Sequence, residues 1–490
     1  MQSGGRIGSS CPPVITLPLD PAANATPDAL MAFLEGCRAA AAADGRPRLV
    51  SISLEVEPLD PLAVLESIFE PAELHFYAER PGQGWAVAGA EAVVTFEAHG
   101  PERFAACQQF IDDVLGRTIA VGEVARPFGG PHFLGAFTFF DEVEAGEPFF
   151  PVRLFVPRWQ VARTPERTVA VANLVVEPAA DLDALTTKVW RAHGKFRAFD
   201  YSAPDFSGRA AEVESGAVAV QEAGGENFFR RSVARAVKMI AEGRFNKIVL
   251  ARCKELTAAG RLHPLKVLNG LRQRFPDCYA FSFANGCGQS FIGASPERLL
   301  RVEAGRLLTE ALAGSAPRGR TAREDAALGE ALLRGDKDRR EQRMVLESII
   351  RRLAPLGLKP EHPDKPALLR LANVQHLQTP VHAAMPAGVR LLDVLARLHP
   401  TPAVGGSPRE AACAHIRRLE AFPRGLYAGP VGWIDHQGGG EFFVGIRSAL
   451  IDGARARVYA GGGIVAGSEP EKEFAETELK FQALLDALLG

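Results

Sequence analysis

The 490-residue chain has no apolar run long enough to span a bilayer, and its first residues show no charged leader followed by an apolar core, so a cytoplasmic protein is expected. It has no strong net charge either. Lys and Arg number 56 against 58 Asp and Glu, a formal net charge of -2, so no overall field draws a polyanion and nucleic-acid binding is not expected. The cysteines, Cys11, Cys37, Cys107, Cys253, Cys278, Cys287 and Cys413, are odd in number and include no C-x-x-C pair, which argues against a disulfide framework and a structural zinc site. No repeat of solenoid length is present. What is there is a globular composition, 47% hydrophobic and 23% charged, with ample length for a large core.

The chain reads as mixed α and β. Asp28–Ala43 is Ala-rich with Leu30, Phe33 and Leu34 at helical spacing, and Leu49–Val56 alternates as a half-buried strand does. Short strands are expected at Ala92–Phe96, Phe133–Phe139 and Arg153–Pro157, and Phe206–Glu226 reads as a connection. Asn227 is placed to cap a helix carrying Phe229, Val233, Val237 and Ile240, with Gly243 at its stop. A strand from Lys247 follows, then Ser290–Gly293, a turn at Ala294–Pro296, Leu299–Val302, and an amphipathic helix over Asp336–Leu353. The last part reads as a strand over Gly440–Leu450, another at Arg457–Ala460 running into a glycine turn at Gly461–Gly463, and a helix from Glu471.

The densest ionisable cluster lies in Ser468–Lys480, where Glu473, Glu476 and Lys480 share one helix face. A solvated face laced with ion pairs gives the same pattern. The preceding glycine run matches a phosphate loop poorly, and the glutamates beyond it would repel a phosphate. A hard cation such as Mg²⁺ fits better, because it takes one or two protein carboxylates together with waters and oxygens of an anionic substrate. Glu341 on the amphipathic helix is the candidate partner carboxylate, with a surface salt bridge as the plain alternative. Lys247 at the head of an apolar strand and Glu297 at a strand junction stand where a side chain can project into a cleft, although for either taken singly a solvated loop charge is the commoner account. Arg447 interrupts an apolar stretch, where a guanidinium needs a carboxylate from the protein or from a ligand.

Eight runs occur in one order: Lys247-Ile-Val-Leu-Ala-Arg252, Phe291–Glu297, Leu312-Ala-Gly-Ser315, Asp336–Glu341, Leu398-His-Pro-Thr-Pro-Ala403, Gly425–Gly432, Gly445-Ile-Arg-Ser-Ala449 and Gly461–Lys480. Together they closely resemble the chorismate-binding enzymes, which include isochorismate, salicylate, anthranilate and aminodeoxychorismate synthases. The resemblance implies an α/β (α+β) fold in which two largely antiparallel sheets pack face to face with helices outside. It divides the chain into residues 1–215, an N-terminal α/β region completing the fold, and a catalytic domain over 220–488. It also implies that Glu341 and Glu476 ligate Mg²⁺ with Glu473 close by, and that Arg447 and Tyr427 hold the enolpyruvyl carboxylate. Lys480 would add positive charge, the Gly314 and Ser315 amides would meet the ring carboxylate, and Gly462 and His399 would contact the substrate. Lys247 matches the general base and Glu297 the general acid.

Within the family, Ala311-Leu-Ala-Gly-Ser315 stands where aminodeoxychorismate synthases carry a nucleophilic lysine, and Lys247 is absent from the ammonia-using anthranilate synthases. Isochorismate synthase of the quinone-pathway type is the expected activity, with salicylate synthase or a non-catalytic chorismate-binding protein as alternatives. No amidotransferase partner is implied, and a monomer is expected. One departure is Gln342, where the metal glutamate is usually followed by His. The chemistry asks for one group that takes a proton from water and another that gives one to a leaving hydroxyl. Burial in an apolar strand favours the neutral amine that a lysine base needs, and the acid needs a carboxyl shifted upward.

Overall fold

The structure, a computed structural model, describes residues 14–16, 26–197, 219–371 and 374–489. Among these the strands form one hydrogen-bonded network that is antiparallel except where Ile15–Thr16 and Arg48–Val56 each pair in parallel with Thr118–Gly122. One layer runs, strand beside strand, through Ala219–Glu222, Lys247–Thr257, Arg455–Val465, Ser448–Asp452, Gln289–Ser295, Tyr279–Ala284 and His75–Arg80. The other runs through His132–Phe137, Pro430–Asp435, Gly440–Val444, Arg298–Glu303, Arg306–Pro317 and Val374–Ala384. Two long strands, Trp85–Ala98 and Val152–Arg163, pair along their length and join the layers, with a register shift between Ala92 and Val94.

The layers close on aromatic side chains. Tyr279 stacks on Phe443 at 4.8 Å between ring centroids, Phe281 lies 5.1 Å from Phe443, and Phe76 meets Trp433 at 6.4 Å. These rings come from opposite layers and from both halves of the chain, so one core serves all of it. Helices cover the outside: Pro264–Arg274 packs against Tyr279–Ala284 and Gln289–Ser295, Pro470–Leu489 against Arg455–Val465, and Asp336–Leu353 against Arg306–Pro317. The mixed α/β architecture with a large antiparallel sheet is as expected.

Three local expectations are corrected. Gly461–Gly463 is not a turn. The strand Arg455–Val465 runs through it, paired residue for residue with Lys247–Thr257, and the positive φ comes later at Gly467. The glycines answer a packing need instead: a Cβ on Gly461 would lie 2.7 Å from the Tyr427 hydroxyl, and one on Gly463 3.0 Å from Lys247 Cε. The expected strand Gly440–Leu450 is two strands, broken at Gly445–Arg447, with Arg447 at φ 50°. Asn227 precedes the Phe228–Ala241 helix but makes no side-chain cap bond. The connection expected at Phe206–Glu226 and the 215/220 boundary lie outside the described residues as far as residue 218; Ala219–Glu222 is a strand.

Candidate active site

A cleft of about 230 Å³ opens among six strands and helices, and every residue lining it lies between Lys247 and Lys480. Lys247 and Val249 enter it from the strand Lys247–Thr257, which is buried over its first seven residues. Gly461 and Gly463 face the cleft from the neighbouring strand. Gly462 between them is not among the lining residues, and a Cβ there would meet Glu473 Oε2, a carboxylate of the cleft, at 3.4 Å. Gly314 and Ser315 lie at a register shift in Arg306–Pro317, with Gly314 at φ 77°, so the bulge takes Gly314 out of the ladder and presents it to the cleft.

Helix Asp336–Leu353 contributes Glu341, and helix Pro470–Leu489 contributes Glu473, Glu476 and Lys480. Each of two carboxylates already faces a lysine. Lys247 Nζ donates to Glu341 Oε1 at 2.6 Å, and Lys480 Nζ donates to Glu476 Oε1 at 2.6 Å and to the Gly461 carbonyl at 2.9 Å. Burial pushes the Glu341 and Glu476 carboxyls up, but the adjacent Lys247 and Lys480 ammoniums outweigh it and hold both below their usual range. Glu473 moves the other way, raised first by burial and then by the charge of Glu476, and Asp338 is raised by burial and by Glu341 and Glu476. Among the described residues no three His, Cys, Asp or Glu side chains are gathered closely enough to enclose an ion. The donor set nevertheless suits a hard dication: it is all oxygen, it comes from two helices facing one cleft, and its excess negative charge already raises Glu473 and Asp338.

Glu297 sits between Gln289–Ser295 and Arg298–Glu303. It is buried, and burial together with the charge of Glu310 pushes its carboxyl up to about 8, against the opposing pull of Lys247. Arg447 lines the cleft with no ion pair or hydrogen bond from its guanidinium to a described residue, and burial pulls it below its ordinary value. It is a cation awaiting an anion. Tyr427 lies beside it, stacked on Tyr459 at 5.1 Å.

His399 does not line the cleft. It ends the Leu391–Leu398 helix with its ring turned into the core, Nε2 3.0 Å from the Phe139 carbonyl, and its neighbours Ala403 and Val404 reach the cleft instead. Gln342 also points away: its Nε2 donates to Thr379 Oγ1 at 2.6 Å, tying the helix to Val374–Ala384 and fixing the direction in which Glu341 emerges. Sequence reasoning missed Lys337, Asp338 and His376, which all line the cleft. Lys337 and Asp338 stand four and three residues before Glu341, so helical spacing alone places them on its face. His376 carries no such signal. Its Nδ1 lies 2.9 Å from Ser315 Oγ and 3.3 Å from the Gly314 carbonyl, a contact made only by strand pairing.

With this geometry in place, comparison with known proteins decides the family. The chorismate-binding enzyme family matches residues 33–489. The chain belongs to the chorismate-binding enzymes. It is 37% identical over 446 residues, 90% of each chain, to the salicylate biosynthesis isochorismate synthase of Pseudomonas aeruginosa. It is 32% identical over 451 residues to the isochorismate synthase MenF of Bacillus subtilis, covering 90% of this chain and 94% of that one. Its fold matches the menaquinone-specific isochorismate synthase MenF of Escherichia coli with a TM-score of 0.74 at 26% identity, over 94% of this chain and 100% of the other. No helix among the described residues of this family member is long and apolar enough to cross a membrane.

Proposed function

We propose that this chorismate-binding enzyme is an isochorismate synthase that needs Mg²⁺: water adds at C2 of chorismate, the diene shifts, and the C4 hydroxyl leaves as water. One water enters and one departs, so the reaction is an isomerisation. The observation that carries this reading is Glu297, a buried carboxyl raised to about 8, in the same cleft as Lys247. At neutral pH roughly nine in ten such carboxyls hold their proton, the state a general acid needs.

Lys247, an ammonium while it donates to Glu341, takes the proton of the attacking water once it has left Glu341 and given its own proton to solvent, and Glu297 protonates the departing hydroxyl. Arg447, the unpaired guanidinium, takes the enolpyruvyl carboxylate with Tyr427 beside it, and the bulge at Gly314 and Ser315 offers backbone amides to the ring carboxylate. Glu341 and Glu476, with Glu473 near, are the residues that would hold Mg²⁺. When bound, the ion supplies charge compensation and orientation for a dianionic substrate. Water is the nucleophile, so no amidotransferase partner is needed. The chain acts in the cytoplasm as a monomer, which sedimentation at working concentrations tests.

Incubation with chorismate and Mg²⁺ followed by chromatographic separation of products decides the matter. Isochorismate is expected as the main product; salicylate with pyruvate, or bound chorismate without turnover, overturns the assignment.

A further inference from the structure

A second cavity, of about 350 Å³, opens where the strands Val152–Arg163 and Thr168–Val176 part, and it contains none of the residues assigned to the reaction. The ladder between these strands ends at the pair Trp159 and Ala172. Just beyond, Asn173 Nδ2 donates to the Pro157 carbonyl at 2.8 Å. That carbonyl can only accept, which fixes the amide's orientation and leaves Oδ1 as an acceptor. Asn173 is 1% exposed, and among the described residues its Oδ1 has no hydrogen-bond partner and almost no accessible surface. Trp159, Leu174 and Val189 give the cavity apolar walls, and Lys188 and Arg191 stand exposed at its rim without an ion pair to any described residue. The third rim cation, Arg158, is already engaged by Glu91 at 2.9 Å. Glu91 itself is held at φ 55°, beside the register shift at Ala92 and Val94, an uncommon conformation that aims its carboxylate at Arg158.

We propose that this cavity binds a small aromatic monocarboxylate. The ring fills the apolar space against Trp159 and Leu174, and the carboxylate meets Lys188 and Arg191 at the rim. An apolar pocket with a few convergent polar groups and two unpaired cations selects for an amphipathic anion. Chorismate fits this description poorly, because its second carboxylate would face the apolar walls.

Calorimetric titration of the full-length protein with salicylate, and in parallel with benzoate, tests the site. Saturable binding of both is expected. Lys188→Glu with Arg191→Glu, both exposed and so tolerated by the fold, should weaken salicylate by about tenfold or more. Arg447→Gln, in the catalytic cleft, should leave salicylate binding in place. The proposal is overturned if binding is absent, if it survives the double charge reversal, or if Arg447→Gln abolishes it, since the last result would put salicylate in the cleft.

Discussion

At the scale of single residues, Glu297 sets the pH dependence. Its folded value near 8 means that the donor is present below that pH and lost above it, so kcat/KM is expected to fall tenfold per unit above about pH 8. Glu297→Gln removes the transferable proton while keeping the shape, and turnover should drop by about 10²–10⁴-fold with chorismate binding retained in equilibrium titration. A variant that kept its full rate would remove Glu297 from the mechanism. Lys337 makes a separate prediction. It is exposed at the cleft, forms no ion pair with a described residue, and its charge reaches Glu341, Glu473 and Glu476. It is thus a free cation at the mouth of a site for a dianion, so Lys337→Gln should raise KM for chorismate several-fold with kcat little changed, and added salt should narrow the gap. Steady-state kinetics at two ionic strengths checks both. Arg447 was legible in the sequence as a charge set in an apolar stretch, whereas Lys247 and Glu297, which read singly as solvated loop charges, were marked out by the resemblance of their motifs. The Lys247–Glu341 contact was not legible, since it joins residues from a strand and a helix that only the tertiary fold brings together.

At the scale of elements, the site depends on how the helix Pro470–Leu489 is held against the strand Lys247–Thr257. Arg252 does this. It is buried, pairs through Nε and Nη2 with Glu222 at 2.7 and 2.8 Å, donates to Thr477 at 2.8 Å and Glu478 at 2.5 Å, and lies 3.7 Å from the Phe474 ring centroid. Three elements meet in one guanidinium. Arg252→Met keeps the apolar stem but strands Glu222, while Glu478 keeps Lys254 at 2.6 Å, so a loss of about 3 kcal/mol is expected in denaturant melts. Activity should fall further than stability explains, because Glu476 and Lys480 ride on the released helix. Periodicity gave these elements well where one face was buried: the helix Asp336–Leu353 has the bounds read from its sequence. It failed where a residue type serves packing across the fold. The glycines at 461–463 carry a turn-like composition, but what they satisfy is the approach of Tyr427 and Lys247, which local sequence does not contain.

At the scale of the whole molecule, the cleft is lined from one half of the chain but braced by both. The pairs His75–Arg80 with Tyr279–Ala284 and His132–Phe137 with Pro430–Asp435 tie the halves into the same layers, so unfolding should be one cooperative event rather than two. Buried histidines then set its acid limit. His75, His376 and His399 each have an imidazole pulled down to about 3, by burial first and by neighbouring positive groups. The unfolded chain binds those protons near pH 6.5 while the folded one refuses them, so the contribution is intact above pH 6.5 and is lost as pH falls toward 3. At pH 5 each costs roughly 2 kcal/mol, and the three together about 6 kcal/mol, comparable with the usual net stability of about 5–15 kcal/mol. Glu297 runs the opposite way: its raised value means that folding loses stability as pH rises from about 4.5 through 8. The thermal midpoint should therefore pass through a maximum near neutral pH and decline steeply below about pH 5.5, in a single calorimetric transition. His399→Gln, whose side chain can still reach the Phe139 carbonyl with its amide, should restore about 2 kcal/mol at pH 5 and leave the alkaline limb unchanged. An acid limb untouched by that substitution would show that His399 is already charged, or already solvated, in the folded protein.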